Sequence, residues 1–329
     1  MVNGTLRLDG KDTPATLDNI RAALAGKDFF WLDVEDSSDD DEAQEMLRTE
    51  FGFHPLAVQA SERFSQRPRL EDYDGFAFLV ARGADPEHNG NAEVHCFWND
   101  RYVVTLHHAD CKAIRQVRER MERHPLAKDL AEPQIVIVYL VMGVLVDSFF
   151  PVLSAFDDSI DKLEDEILVR PTEAQLGELF KMKRDLMDMR RVVAPQRDMM
   201  ASINSGVSEV PGMTDEAGRY FRDLYDHLIR LADLVDNYRD LLSSAMDTHL
   251  STVSNRLNVV MKQLTIIATI FLPLSFLTGF FGQNFGYLVR VWLAPTWSFY
   301  ALGIGLDLVA VAFLLVMFRK RGWLGGPTV

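Results

Sequence analysis

Residues 263–282, QLTIIATIFLPLSFLTGFFG, hold no charged side chain over 20 positions. At about 1.5 Å per residue, a helix of this length crosses a hydrocarbon core roughly 30 Å thick. A second run, 297–318 (WSFYALGIGLDLVAVAFLLVMF), carries one charge, Asp307. The 14 residues between them, 283–296, include Pro295 as a breaker. Two spans return the chain to the side from which it came. Lys262 precedes the first span and Arg319, Lys320 and Arg321 follow the second, whereas the connecting loop has only Arg290. The positive-inside rule then places both termini in the cytoplasm, in a membrane of the bacterial inner-membrane type. A core hairpin buried in a soluble protein has no need of runs this long.

The rest of the chain has the opposite character. Residues 1–262 hold 47 of the 48 acidic and 30 of the 34 basic side chains, a formal charge of −17. An acidic soluble part repels phosphate backbones, which excludes nucleic acid as a partner. Cys96 and Cys111, the only two cysteines, cannot build a disulfide framework and suit a reducing compartment. The opening MVNGTLRLDGKD has no apolar signal-peptide run, so this part is expected to stay in the cytoplasm.

Hydrophobic patterning divides the soluble part in two. Strands are predicted at 28–36, 73–82, 93–98 and 101–108, the last two joined by a two-residue turn at Asn99-Asp100. That turn sets position 95 opposite 104 and position 107 opposite 92. Helices are predicted at 40–51, 54–62 and 111–123, which makes 1–132 an α/β domain. From Pro133 onward only helical patterns remain, over 134–169, 172–203 and from 215 onward, and 133–262 reads as a helical stalk. The last helix has no internal breaker before Pro273 except Gly218. Continued to 282, it is about 100 Å long. The remaining segments are the first span (263–282), a loop (283–296), the second span (297–318) and a basic tail (319–329).

Alternating steps of three and four along this helix pick out one face: Asp223, Asp226, Arg230, Asp233, Asn237, Asp240, Ser244, Asp247, Ser251, Ser254, Asn258, Met261, Thr265, Ala268, Leu272, Ser275 and Gly279. The adjacent face (Leu250, Val253, Leu257, Val260, Leu264, Ile267, Phe271, Leu274) is wholly apolar. A sustained 3.5-residue period is what helices wound about a shared axis require. Two readings are open. In one, the aspartates are a solvated face, and the small residues in the span let two helices pack closely. In the other, several copies surround a pore. The aspartates become rings of negative charge, Asn258, Thr265 and Ser275 are polar rings, and Met261 and Leu272 are apolar constrictions that gate by dewetting. Two spans cannot enclose a pore alone, so the second reading demands an oligomer.

Gly282-Gln283-Asn284, within TGFFGQNFG (278–286), resembles the GxN signature of CorA-type metal ion transporters. The upstream run 254–282 is similar to that family's first membrane helix, and the paired terminal spans with a basic tail fit as well. The resemblance covers about 215–329; over 1–214 it is one of organisation. It implies an α+β cytoplasmic domain, long stalk helices and two transmembrane helices, assembled as a homopentameric funnel and pore with the first span innermost. It implies divalent cation transport, most simply Mg²⁺ or Co²⁺ uptake, with Gly282, Gln283 and Asn284 at the outer entrance. The cation is then substrate and possible regulator, the partners are further copies of the chain and the lipid bilayer, and no covalently bound cofactor is called for. Zn²⁺ transport of the ZntB type is the alternative. As in the family, divalent ions bridging stalk carboxylates between subunits would relieve self-repulsion, and Asp223 and Asp226 are the candidate ligands.

Two departures bear on the ion. The usual Met of the signature is Gln283, and loop 283–296 has no Asp or Glu but does have Arg290. Other features are weighed as well. His95, Cys96, His107, His108 and Cys111 have ligand chemistry for zinc, but the expected register does not set the histidines opposite one another. Asp307 at mid-span suits either proton coupling or a structural hydrogen bond. No phosphate-binding glycine loop or nucleophile triad is present, so an enzyme is not expected. A membrane-anchored coiled-coil scaffold explains stalk and anchor, but not the polar face that continues through the first span.

Overall fold

The computed structural model describes residues 3–36, 42–85, 90–108, 111–127, 132–283, 285–292 and 296–323. They form two compact units, Met1–Glu166 with Thr172–Met246 and Ile167–Pro171 with Asp247–Val329.

The first unit is built on a seven-stranded sheet. Its strands are β1 (Gly4–Leu8), β2 (Lys11–Pro14), β3 (Phe30–Asp36), β4 (Arg69–Tyr73), β5 (Phe76–Asp85), β6 (Gly90–Trp98) and β7 (Tyr102–His108). The spatial order is β2-β1-β3-β7-β6-β5-β4, with only β3 and β7 parallel. The four expected strands are present. β1, β2 and β4 are additions, and β2 (KDTP) is fully exposed, so it leaves no apolar signature. Helices α1 (Leu17–Ala25), α2 (Glu42–Thr49) and α3 (Pro55–Ser61) bury Ile20, Met46, Leu47 and Val58 against Leu32, Val34, Phe78, Phe97 and Val104. Thr16 starts α1 by accepting from the Asn19 amide at 3.3 Å, the standard side-chain cap.

The β6–β7 register differs from expectation. His95 pairs with Leu106 and Val94 with His107. The Asn99 amide donates to the Tyr102 carbonyl at 3.1 Å, so the central turn residues are Asp100 and Arg101. The Asn99 side-chain oxygen accepts from the amides of Arg101 (2.8 Å) and Tyr102 (3.1 Å). An asparagine that caps its own turn belongs at the first turn position, and this moves the turn one residue along.

Helices α4 (Lys112–Arg123) and α5 (Pro133–Asp147) follow the sheet. α5, PQIVIVYLVMGVLVD, is apolar on every side, as a helix enclosed by its own protein must be. It packs on β5 so closely that a Cβ at Gly83 would lie 2.7 Å from the Leu145 carbonyl oxygen. Ser148 ends α5, and its hydroxyl accepts from the Ala84 amide at 2.7 Å. The single helix expected over 134–169 is therefore two, α5 and α6 (Phe149–Val169). α7 (Glu173–Asn204) opens with a Thr172/Gln175 capping box and runs through Pro195. Its Gln196 donates to the Arg82 carbonyl (3.1 Å) and accepts from the Arg82 amide (3.0 Å), bonding β5 as a neighbouring strand would.

α8 (Ala217–Phe281) is one helix of 65 residues. In the first unit it buries Phe221, Leu224, Leu228, Leu231, Val235, Leu242 and Ala245. α7 buries Leu179, Met182, Leu186, Val193, Met200 and Ile203, and α6 buries Leu153, Ile160, Leu163 and Ile167. All three sets step by three, four or seven, the seam of a coiled bundle. In the second unit the chain leaves α8 through Gly282 and enters a π-helical turn, Leu288–Trp292. It then forms α9 (Thr296–Ser298), a second π-helical stretch (Phe299–Gly305) and α10 (Leu306–Lys320). The 18-residue apolar windows of α8 and of Tyr300–Lys320 are 0% and 6% buried, whereas that of Pro133–Val169 is 50% buried. Length and composition alone qualify all three to cross a membrane, and burial sets the third apart as a core helix.

A buried polar network lies where β3 meets β7. Asp33 is 5% exposed. It accepts from the Thr105 hydroxyl at 2.6 Å and from Arg118, and lies 3.4 Å from His107 Nε2, while Trp31 Nε1 donates to Thr105 Oγ1 at 3.0 Å. Burial works against the carboxylate, but His107, Arg118 and Thr105 together outweigh it and hold Asp33 below the usual carboxylate range. A depressed folded value stabilises fully above the unfolded value of about 3.9, and that stability is lost as pH falls through the folded value. Asp33→Asn is therefore expected to cost about 3 kcal/mol at pH 7. The gap to wild type should narrow as pH falls below about 4, in thermal unfolding followed across pH.

Candidate ion pathway

The exposed side of α8 carries the candidate pathway. In the first unit the bundle seam takes one side of the helix, and the opposite side keeps Asp223, Asp226, Arg230, Asp233, Asn237, Asp240 and Ser244 exposed. In the second unit Asp247, Ser251, Ser254, Asn258, Met261, Thr265, Ala268, Leu272, Ser275 and Gly279 are all exposed too. Every residue of the expected stripe is thus exposed. The neighbouring apolar row is bare as well, with Leu257, Leu264 and Phe271 exposed by 60%, 58% and 64%. A bare row of this kind matches lipid or another copy of the helix.

The stripe has a definite donor–acceptor character. On the stripe the Thr265 hydroxyl donates to the Met261 carbonyl at 2.7 Å; off it, Thr269 and Thr278 bond back in the same way. A hydroxyl that spends its proton on its own helix presents only lone pairs outward. Such an oxygen can accept from water. Pro273 lies inside α8 and has no amide to donate toward Thr269. At the end of the helix the Gly282 amide bonds the Thr278 carbonyl at 2.9 Å, and a Cβ on Gly282 would lie 3.0 Å from that oxygen. Glycine thus lets α8 close its last turn without pressing on the carbonyl. Gln283 follows and is exposed; Asn284 lies outside the described residues.

Charge along the stripe is partly compensated. Asp240 accepts from Arg239 Nε and Nη2 at 3.2 and 3.0 Å. Asp223 finds Tyr139 and His227. The Tyr139 hydroxyl donates to it at 2.8 Å, and His227 Nε2 is 4.0 Å away. His227 also lies 3.6 Å from Asp147. Burial, followed by the Asp223 bond, pushes the Tyr139 phenol up to about 12. Asp226 is exposed on the same side.

The zinc candidates do not converge. His95 is fully buried, bonds Glu93 at 2.9 Å and stacks on Phe64. His107 faces Asp33, and His108 Nδ1 lies 3.0 Å from the Asp36 carbonyl. Burial raises both thiols, Cys96 and Cys111, away from the metal-binding thiolate. Among the described residues no three His, Cys, Asp or Glu side chains are grouped to hold a metal ion. Asp307 instead lines a cavity of about 420 Å³ with Leu277, Thr278, Phe281, Gly282, Gly303 and Ile304. Its buried Oδ1 has no hydrogen-bond partner among the described residues. The expected structural bond to that oxygen is thus not seen.

Two exposed apolar helices long enough to cross a membrane, with a polar face on the first, are the features of a membrane protein that passes a polar solute. The profile described as CorA-like Mg2+ transporter protein matches residues 26–320. The chain belongs to this family of channel-like divalent metal cation transporters. It is 34% identical to the putative metal ion transporter YfjQ of Bacillus subtilis over 298 residues, 90% of each chain. It is also 34% identical to the cobalt/magnesium transport protein CorA of Thermotoga maritima, over 83% of this chain and 78% of that one. The complete structure of the CorA magnesium transporter from Methanocaldococcus jannaschii shares the fold, with a TM-score of 0.82 at 21% identity over 98% and 99% of the two chains.

Proposed function

We propose that this chain forms a homopentamer that carries Mg²⁺ or Co²⁺ into the cytoplasm along the exposed face of α8. The observation that carries the reading is the unbroken exposure of the 3.5-residue stripe up to Gly282-Gln283. A polar row within an uncharged span has no use facing lipid, and five copies turned inward give it water and a cation to meet. In this reading Asp247, Ser251, Ser254, Asn258, Thr265, Ala268, Ser275 and Gly279 line the path, and Met261 and Leu272 form its apolar constrictions. Gln283 and Asn284 ring the outer entrance. Mg²⁺ gives up its water reluctantly, and neutral amides hold coordinated water without stripping it. Both termini then lie on the cytoplasmic side, where Arg319, Lys320 and Arg321 follow α10.

Gln283 and the acid-free outer loop favour one second reading, Zn²⁺ as cargo, with Asp307 in its intramembrane cavity as the residue for proton coupling. Regulation uses the stalk. Asp223 and Asp226 bind divalent ions between subunits, hold the assembly closed, and release it when cytoplasmic metal falls.

Purified protein in proteoliposomes tests transport directly. Asn284→Ala is expected to cut Mg²⁺ uptake at least ten-fold while the oligomer still assembles, and wild-type flux would remove the amide ring from the mechanism. Competition by Mg²⁺, Co²⁺ and Zn²⁺ in the same assay separates the two cargo readings. For the regulatory pair, Asp223→Asn with Asp226→Asn should weaken both inhibition of flux by internal Mg²⁺ and Mg²⁺ protection of α8 from proteolysis. Both effects persisting at wild-type metal concentrations would exclude these carboxylates as the sensor.

A further inference from the structure

The second unit contains a short segment from far upstream in the chain, Ile167–Pro171, the apex between α6 and α7. Ile167 is fully buried, but Leu168 and Val169 are 62% and 79% exposed. Two adjacent apolar side chains at the tip of a helical hairpin serve no packing role within this chain. The apex is nonetheless held in place, because the Arg256 guanidinium donates to the Val169 carbonyl. Arg256 lies seven residues before Gln263, where the charge-free run of α8 begins. That is about 10 Å along the helix.

Other features of the second unit mark the same end of the apolar helices. Lys262 Nζ lies 3.4 Å from the Gly322 carbonyl, which sets the end of α10 beside the start of the α8 run. Arg319, Lys320 and Arg321 are exposed there. Trp323 is half-exposed and stacks on Phe318, with ring centroids 5.6 Å apart and planes 10° from parallel. A tryptophan flanked by arginines and lysine at the end of an apolar helix is the usual composition of a membrane–water interface. The headgroup layer extends roughly 5–8 Å beyond the hydrocarbon on each side. The apex is therefore within side-chain reach of it.

We propose that the α6–α7 apex is a bilayer contact. Leu168 and Val169 seat in the interfacial layer of the leaflet on the Lys262 side, and Arg170 and Arg256 meet lipid phosphates. Interfacial segments bury apolar side chains to about this depth and hold them with flanking cations. Glu164, Asp165, Glu166 and Glu173 stand on the two stems, and Glu166 is engaged by Lys162 at 4.0 Å and by Gln175 at 3.4 Å. The apex itself carries only the apolar pair and Arg170. The occupant is thus the phosphate-bearing interface common to all phospholipids rather than an anionic lipid in particular. This inference rests on reading α8 and α10 as membrane spans.

Depth-dependent fluorescence quenching in the full-length oligomer tests it. Single cysteines at Leu168→Cys, Phe313→Cys and Val207→Cys are labelled with a small fluorophore in phospholipid nanodiscs; native Cys96 and Cys111 are buried and stay unlabelled. Phe313 lies on α10 and is 68% exposed, and Val207 lies in the α7–α8 loop and is 80% exposed. Position 168 is expected to be quenched several-fold more than 207, and more by a nitroxide near the headgroup than by one deep in the acyl chain. Position 313 should show the reverse depth order. Quenching at 168 no greater than at 207, with 313 quenched, would overturn the apex contact and leave the spans standing; a second copy covering the apex would give this result. No quenching at 313 would overturn the span reading and the proposal with it.

Discussion

A hydrocarbon layer gives no hydrogen bonds, and this one fact shapes the C-terminal third of the chain. A helix satisfies its own backbone there, but its polar side chains must find partners elsewhere. α8 enters its uncharged run with Asn258, Thr265, Ser275 and Gly279 on a single face, and no other described part of the chain covers that face. Thr265 meets part of its own demand by bonding to its own helix carbonyl. What remains is a polar row. In the proposed pore, other copies of α8 and a file of water meet that need together, with a hydrated cation as the guest.

The first unit gives α8 a fixed seat. Gly83 lets α5 approach β5, Ser148 and Gln196 bond to the backbone of the same strand, and the heptad seams of α6, α7 and α8 follow from there. The seam sets which side of α8 is inside, and so also which side carries Asp223, Asp226 and Asp233 outward. α8 is one uninterrupted helix, and its 3.5-residue stripe continues in sequence from Asp223 to Gly279. Asp33 plays a separate part: it closes the parallel β3–β7 joint by accepting from the Thr105 hydroxyl, which in turn accepts from Trp31 Nε1.

Long periodic elements were legible in the sequence. α7, α8, the two apolar runs and the stripe all follow from residue spacing, since a helix repeats its face many times and errors average out. Short polar elements were not. β2 and β4 carry KDTP and RLEDY, which read as loop because they are short and largely polar edge strands, although each pairs with its neighbour in sequence, β1 and β5. The hairpin register was displaced because Asn99 caps the turn rather than sitting within it. The break at Ser148 lies within a helical pattern that reads as continuous from 134 to 169, and its bond to Ala84 marks it. The Asp33 network was missed as well, although an acid alternating with Trp31, Leu32 and Val34 in a buried strand is a visible signal that it must be paired. The entrance motif was found by resemblance and by its place after a long helix, and three letters alone would not have sufficed.

The central claim is that one face of α8, and not its neighbour, is the ion path. Single cysteines along the helix, probed with a water-soluble thiol reagent during metal uptake into proteoliposomes, test it most directly. Reagent block at positions 251, 254, 258 and 275, with little effect at 257, 264, 267 and 271, is the predicted result. Block that is uniform along the helix, or that falls on Leu257, Leu264 and Phe271 instead, would contradict it.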